Sequence, residues 1–158
     1  MLVKDIMHKD IRCCSTSNSL DDIANQMWNE DVGFMPILDK DDKLAGVVTD
    51  RDIAMAAVLK HRPLWEISAS EMVTGRPCHV CHPDDEVHKA LNVMGASRIR
   101  RVPVIDGEQR LKGIIGLKDI ADHTGSGGKS KNAGGLTSEE LLGTIQRICK
   151  PNLLQASA

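Results

Sequence analysis

Two short phrases decide the fold: Met35-Pro36-Ile37-Leu38-Asp39 and Val102-Pro103-Val104-Ile105-Asp106, which stand 67 positions apart. Applied without gaps from residues 14–54 onto 81–121, the same shift gives ten identities: Cys14/Cys81, Asn25/Asn92, Met27/Met94, Pro36/Pro103, Asp39/Asp106, Leu44/Leu111, Gly46/Gly113, Asp52/Asp119, Ile53/Ile120 and Ala54/Ala121. Unrelated stretches of ordinary composition would share roughly two or three. The chain carries a tandem duplication, so each copy is read against the other.

Both copies follow one order. Leu20, Ile23, Ala24 and Met27 fall at i, i+3, i+4 and i+7, one face of an amphipathic helix, and Val87, Ala90, Leu91 and Met94 repeat that spacing. Each such helix follows a short first strand and precedes two apolar runs. In the first copy these are 32–38 and 44–49 around the turn-rich 39–43, and in the second 99–105 and 111–115 around Asp106-Gly107-Glu108. A second helix starts near Arg51-Asp52 and stops before Pro63. The repeating unit is β-α-β-β-α, too small to build a comfortable core alone. The expected fold class is therefore α/β (α+β), with motif one over 1–62 and motif two over 63–123 packed as one pseudo-symmetric module.

Composition changes after Asp122. Residues 124–135 read as a flexible Gly/Ser-rich linker, 136–150 as a short amphipathic helix and 151–158 as a disordered tail. Thr137 and Glu140 form a capping-box pattern, Leu136 and Leu141 a hydrophobic staple, and Leu141, Leu142, Ile145 and Ile148 an apolar stripe. A lone helix of this length is marginal in water, so it is expected to dock on its own domain pair or on a protein partner.

The 158 residues suit one core or two small halves. A formal net charge of −2 removes the broad basic field of a nucleic-acid binder, and the only aromatic residues, Trp28, Phe34 and Trp65, do not make a base-stacking surface. Met1-Leu2-Val3-Lys4-Asp5-Ile6 lacks the apolar stretch of a signal peptide, and no run has the length to cross a bilayer, which leads to an expectation of a cytoplasmic protein without a membrane partner. Five cysteines, an odd number, read as reduced thiols rather than a disulfide framework.

The duplicated unit, the ending Val47-Val48-Thr49-Asp50-Arg51-Asp52-Ile53 and the phrase Arg98-Ile99-Arg100-Arg101-Val102-Pro103-Val104-Ile105-Asp106 resemble a tandem pair of CBS motifs, the module named after cystathionine β-synthase. The resemblance covers about residues 1–123 and no catalytic domain accompanies it, so the chain looks like a stand-alone CBS-domain protein. It implies adenosine derivatives (AMP, ADP, ATP, S-adenosylmethionine, sometimes NAD) as ligands of two pseudo-symmetric clefts. It further implies that the first cleft uses Thr49 and Asp52 with Ile99, Arg100 and Arg101, and the second Asp119 with Val32, Gly33 and Phe34. A homodimer formed through helices is implied too, with Met27, Trp28, Met55 and Val58 as the face, unless these are ordinary core.

The residues carry part of this on their own. A carboxylate accepts from both hydroxyls of a ribose, a guanidinium offers a donor fork to phosphate, and backbone N–H groups at the helix start near Arg51 favour an anion. Placed on one strand, Arg98 and Arg100 would share a face with Arg101 opposite. The second cleft departs from the pattern: Gly116 stands where Thr49 does, Gly33-Phe34 replaces the arginine pair, and Lys118 and Asp119 remain. The expected sites are unequal, the first suited to a phosphorylated adenosine and the second empty or tolerant of a less charged ligand. Thr49-x-x-Asp52 also reads as an ordinary helix cap, but the duplication and the arginines of the other motif favour the ligand reading for Asp52.

Cys78-His79-Val80-Cys81-His82 matches the C-x-x-C-H haem-attachment pattern, but that chemistry belongs to exported proteins. Zinc is a second reading, with Cys13, Cys14, Cys78, His79, Cys81 and His82 as ligand candidates, although Cys13 and Cys14 point to opposite faces of a strand. The third is buried core cysteines beside exposed histidines. No nucleophile–base pair, hydrolase motif or Gly-rich phosphate loop is present, so no enzyme is expected. The leading expectation is a regulatory module sensing an adenine nucleotide or S-adenosylmethionine; an interaction protein without ligand and a zinc or redox sensor are the alternatives.

Overall fold

A computed structural model gives the structure of the protein and describes residues 1–124 and 136–150. The expected linker beyond Thr124 and the expected tail lie outside the described residues. Two compact units emerge, and they interleave the sequence copies. One holds residues 10–78 and 105–111; the other holds 1–9, 79–104, 112–124 and 136–150.

In the first unit β1 (Cys14–Ser15) runs parallel to β2 (Phe34–Leu38), and β2 pairs antiparallel with β3 (Leu44–Thr49), placing Phe34 opposite Thr49. Helix α2 (Leu20–Asn29) starts at Ser19, whose hydroxyl accepts from the Asp22 amide at 3.1 Å while the Asp22 carboxylate accepts from the Ser19 amide. Leu20, Ile23 and Met27 of α2 are buried against Met35, Ile37 and Val48, with Ile53 and Ala56 of α3 (Asp50–Leu59). Met27 is thus core and not part of an outer helical face, whereas Trp28 is 86 % exposed.

The last part of this core comes from the segment that follows motif one. Ile67, Met72 and Val73 are buried here, the latter two on α4 (Ala69–Val73). The segment is tied on by backbone bonds from Leu20 to the Ile67 carbonyl (2.9 Å), Ala69 to Asn18 (2.8 Å) and Ser70 to Thr16 (3.0 Å). Gly46 of β3 is the contact point: a Cβ there would lie 2.8 Å from Val73 Cβ.

The second unit repeats this with a different stretch of chain. Helix α1 (Val3–Ile6), which precedes motif one in sequence, packs among residues of motif two. Val3 donates to the Asp85 carbonyl and Lys4 to Pro83, both at 2.9 Å, the counterparts of the α4 bonds. Gly113, the repeat partner of Gly46, faces Met7. The first strand expected in motif two shrinks to a single bridge between Cys81 and Val104. Helix α5 (Val87–Ser97) is followed by β4 (Arg101–Ile105), β5 (Leu111–Gly116) and α6 (Leu117–His123). Val87, Leu91, Met94, Val102, Val104, Ile115 and Ile120 form the core.

Helix α7 (Ser138–Cys149) docks in this second unit against α5 and α6. Its capping box forms as expected, with the Glu140 amide donating to the Thr137 hydroxyl at 3.2 Å and the Thr137 amide to the Glu140 carboxylate at 2.9 Å. Leu136 and Leu141 are buried in the core. The inward row is Leu141, Thr144 and Ile148, while Leu142 and Ile145 face solvent, so the expected four-residue apolar stripe is half outward. Arg147 explains the shift: its guanidinium lies where a Cβ of Gly95 would be, 2.8 Å away, and donates to the buried Thr144 hydroxyl at 2.9 Å.

Candidate functional site

The β3–α3 junction holds the carboxylate that the sequence singles out. Thr49 is the N-cap of α3 and Asp52 its third helical residue, so both halves of a capping box form. The Asp52 amide donates to Thr49 Oγ1 (3.1 Å), and Asp52 Oδ2 accepts from the Thr49 amide (2.9 Å) and hydroxyl (2.8 Å). Asp52 Oδ1 accepts from Nη2 of Arg76 at 3.1 Å. A carboxylate has about four acceptor positions. Oδ2 is filled by the cap, and Oδ1 keeps one position beside Arg76. The cap therefore occupies one oxygen of the side chain, and the other carries the Arg76 contact.

Burial pushes the Asp52 carboxyl upward, but the hydrogen bonds from Thr49 and Arg76 and the charge of Arg76 outweigh it and hold the group below the ordinary carboxylate value. Asp52 stays ionised at neutral pH, with its side chain 21 % exposed. Arg76 is the neighbour of Asp52 that the sequence reading missed. It follows α4 in the segment after motif one, 24 residues from Asp52, and only the packing of α4 on β3 brings it there. No local pattern marks it. The Arg51 amide, expected to help bind an anion, instead donates to its neighbour's Asp50 Oδ1 at 2.7 Å.

In the second unit the equivalent junction is plainer. Asp119 Oδ2 accepts from the Gly116 amide at 2.7 Å, and no hydroxyl completes the box. Lys118 is ion-paired with Asp122 at 2.7 Å along the outside of α6. The arginines do not alternate on one strand. Arg98 ends α5 in the left-handed region (φ 54°), Ile99 donates back to the Met94 carbonyl, Arg100 lies in a bend, and only Arg101 belongs to β4. The helix-terminating turn takes the residues that an apolar run had assigned to a strand. The Arg100 carbonyl accepts from the Leu117 amide at 3.0 Å, matching Gly33 and Asp50 in motif one. There the Asp50 carboxylate presses against Gly33, where a Cβ would stand 2.5 Å from Oδ2. Gly33, Asp50 and Val32 also line a groove of about 470 Å³ between α2 and α3, with Ala24, Trp28 and Ala54.

The cysteines do not assemble a metal centre among the described residues: no three His, Cys, Asp or Glu side chains come together to hold an ion. Cys14 donates its thiol to Gln26 Oε1 at 2.8 Å, and His82 lies 3.6 Å from Asp85. Burial pushes the Cys14 and Cys81 thiols up to about 11, and raises Cys13 and Cys78 as well. His79 is exposed. Among the described residues no helix is long and apolar enough to cross a membrane.

Comparison with known proteins converges on one family. The sequence profile of the CBS domain matches residues 3–59 and 69–125. Hypoxic response protein 1 of Mycobacterium tuberculosis is 31 % identical over 151 residues, 96 % of each chain. A homoserine O-acetyltransferase of Methanohalobium evestigatum is 34 % identical over 75 % of this chain, a match that spans 23 % of that enzyme's length. Among solved structures, Hypoxic Response Protein I with two coordinated zinc ions is 33 % identical with a TM-score of 0.71, covering 78 % of this chain and 98 % of that one. The CBS-domain pair of protein MJ0100, in complex with 5′-methylthioadenosine and S-adenosyl-L-methionine, is 30 % identical with a TM-score of 0.66, covering 77 % and 94 %.

Proposed function

The chain belongs to the CBS-domain family, and on that premise we propose that it is a regulatory module that senses an adenosine derivative through Asp52. The observation that carries this reading is the open acceptor position on Asp52 Oδ1, on a carboxylate kept ionised by its own cap and by Arg76. A ribose hydroxyl is a neutral donor of the kind such an oxygen lacks. The MJ0100 pair, similar at 30 % identity, was crystallised with two adenosine compounds, which supports the ligand class. Arg100 and Arg101 are the anion-binding candidates of motif two, and both are exposed. A ligand regulates only by binding two states of the protein unequally, so occupancy is expected to change the conformational balance or the affinity for a partner.

Calorimetric titration with AMP, ATP and S-adenosylmethionine tests the proposal. At least one is expected to bind wild type, and Asp52→Ala is expected to weaken it at least about tenfold, as loss of a charge-assisted hydrogen bond predicts. Replacing Arg100 and Arg101 by Met should weaken AMP more than adenosine. Absence of binding by all three compounds, or binding indifferent to Asp52→Ala, overturns the assignment.

A further inference from the structure

Arg76 occupies part of the carboxylate that a ribose would use. A carboxylate has about four acceptor positions, two on each oxygen. The Thr49 amide (2.9 Å) and hydroxyl (2.8 Å) fill Oδ2 of Asp52, and Nη2 of Arg76 (3.1 Å) takes one of the two positions on Oδ1. One position is left. A ribose carries two vicinal hydroxyls, so its second donor reaches this carboxylate only where Arg76 now stands.

The cap and the Arg76 contact differ in how firmly they hold. The arginine side chain is 54 % exposed. Its other bond, from Nη1 to the Met72 carbonyl, is long at 3.4 Å. The preceding Gly75, at φ 73°, has nothing within 4 Å of where a Cβ would stand, so open space borders the turn on that side. An ion pair this exposed holds only about two- to fivefold better than its separated partners, whereas a hydrogen bond to a carboxylate contributes about tenfold or more. The second hydroxyl therefore wins the contest for Oδ1.

Resting on the reading of Asp52 as the ribose acceptor, we infer that Arg76 is an internal competitor of the ligand, evicted from Oδ1 by the second ribose hydroxyl. Arg76 then sets selectivity, because a ligand with a vicinal diol must displace it and one with a single hydroxyl need not. The eviction also reports occupancy. Arg76 follows α4 and lies two residues before Cys78, where the chain leaves this unit. Its guanidinium has two positions, on Asp52 in the free protein and off it in the bound one, and a ligand acts on a protein only through such a pair of states. Motif two lacks the device: Lys9 stands at the repeat position of Arg76, and Asp119 has no ion pair among the described residues.

Calorimetric titration of the full chain with AMP, 2′-deoxy-AMP and 3′-deoxy-AMP tests this. Base and phosphate are common to the three and cancel in the ratios of their dissociation constants. Arg76→Met removes the competitor and leaves the Thr49 cap, so the preference for AMP over each deoxy compound should rise about two- to fivefold above that of wild type. An arginine that only supported the fold, or only met the phosphate, would shift all three alike. In wild type, the Arg76 Nε–Hε resonance, assigned with Arg76→Lys, should move on saturation with AMP and much less with the deoxy compounds. Circular dichroism and thermal melting establish that Arg76→Met is folded, and the wild-type resonance carries the test if it is not. Failure of AMP to bind wild type overturns this inference, and AMP binding indifferent to Asp52→Ala overturns the reading of the site with it. Binding that needs Asp52, with unchanged ratios in Arg76→Met or an unmoved Arg76 resonance at saturation, overturns the inference alone.

Discussion

Gly46 and Gly113 are repeat partners that receive α4 and the end of α1 respectively, yet substitution by alanine should affect them unequally. A methyl at Gly46 would stand 2.8 Å from Val73 Cβ and 2.9 Å from Cγ1. Carbon contacts relax near 3.5–4.0 Å, so a gap of roughly 1 Å must open. Val73 is β-branched and buried, and α4 is tied to the rest of the unit by backbone bonds at Ile67, Ala69 and Ser70, which leaves little room to yield. Overpacking of this kind costs about 1–3 kcal/mol, while replacing glycine in the unfolded chain returns about 0.4–1 kcal/mol. The net is a loss of about 1–2 kcal/mol, or roughly 2–8 °C in Tm for a chain of this size. At Gly113 the nearest atoms are Met7 Sδ and Cγ, at 2.5 and 2.9 Å, the far end of a flexible and half-buried side chain. That end can swing away, although the His8 carbonyl at 3.0 Å still asks for a small shift. Gly113→Ala should therefore lie within about 1 kcal/mol of wild type. Urea and thermal unfolding of both variants measure the difference. A Gly46→Ala chain as stable as wild type, or Gly113→Ala as the weaker of the two, would refute the packing argument.

Three further outcomes follow from the same contacts. The lowered pKa of Asp52 means that its contribution to stability is complete above the ordinary carboxylate pKa, about 3.9, and is lost as pH falls through the lower folded value; Asp52→Ala should therefore narrow the stability difference from wild type only at strongly acid pH, read by unfolding at pH 7 and below pH 4. With Cys14 and Cys81 pushed up to about 11 and Cys13 and Cys78 also raised, the exposed Cys149 should be the one rapidly reacting thiol of the native chain with a disulfide reagent at pH 8, and several fast thiols would contradict the burial. Thr137→Ala removes the α7 cap at a cost of about 1 kcal/mol, and hydrogen exchange should quicken along 138–149 while the amides of β2 and β3 keep their protection.

Much of the architecture was legible because its signals are local or repeated. The 3.6-residue periodicity of α2 and α5, the turn-rich 39–43, and the capping patterns at Thr49 and Thr137 each depend on neighbours a few positions away, and the structure forms all of them. The start of β4 was misread because an apolar, arginine-rich run looks the same whether it opens a strand or completes a helix-ending turn. At Asp52 the sequence reading favours a ligand acceptor over a cap; the structure forms the cap through Oδ2, a choice of oxygen that no sequence pattern records.

What the sequence by itself determined is the duplication, the order of elements within each copy and the capping box that places the candidate carboxylate Asp52 at the start of α3. Tertiary structure alone decided the partners across long separations. Helix α1 packs on motif two and α4 on motif one, because each copy's hairpin presents a glycine notch that the helix beginning the other copy fills. That exchange delivers Arg76 to Asp52. The same holds for α7, whose periodicity marks an apolar face without saying what it meets; a bare Cα at Gly95 admits its Arg147 guanidinium. Local patterns record what each residue prefers, whereas close packing depends on the shape of a surface assembled from segments distant in the chain.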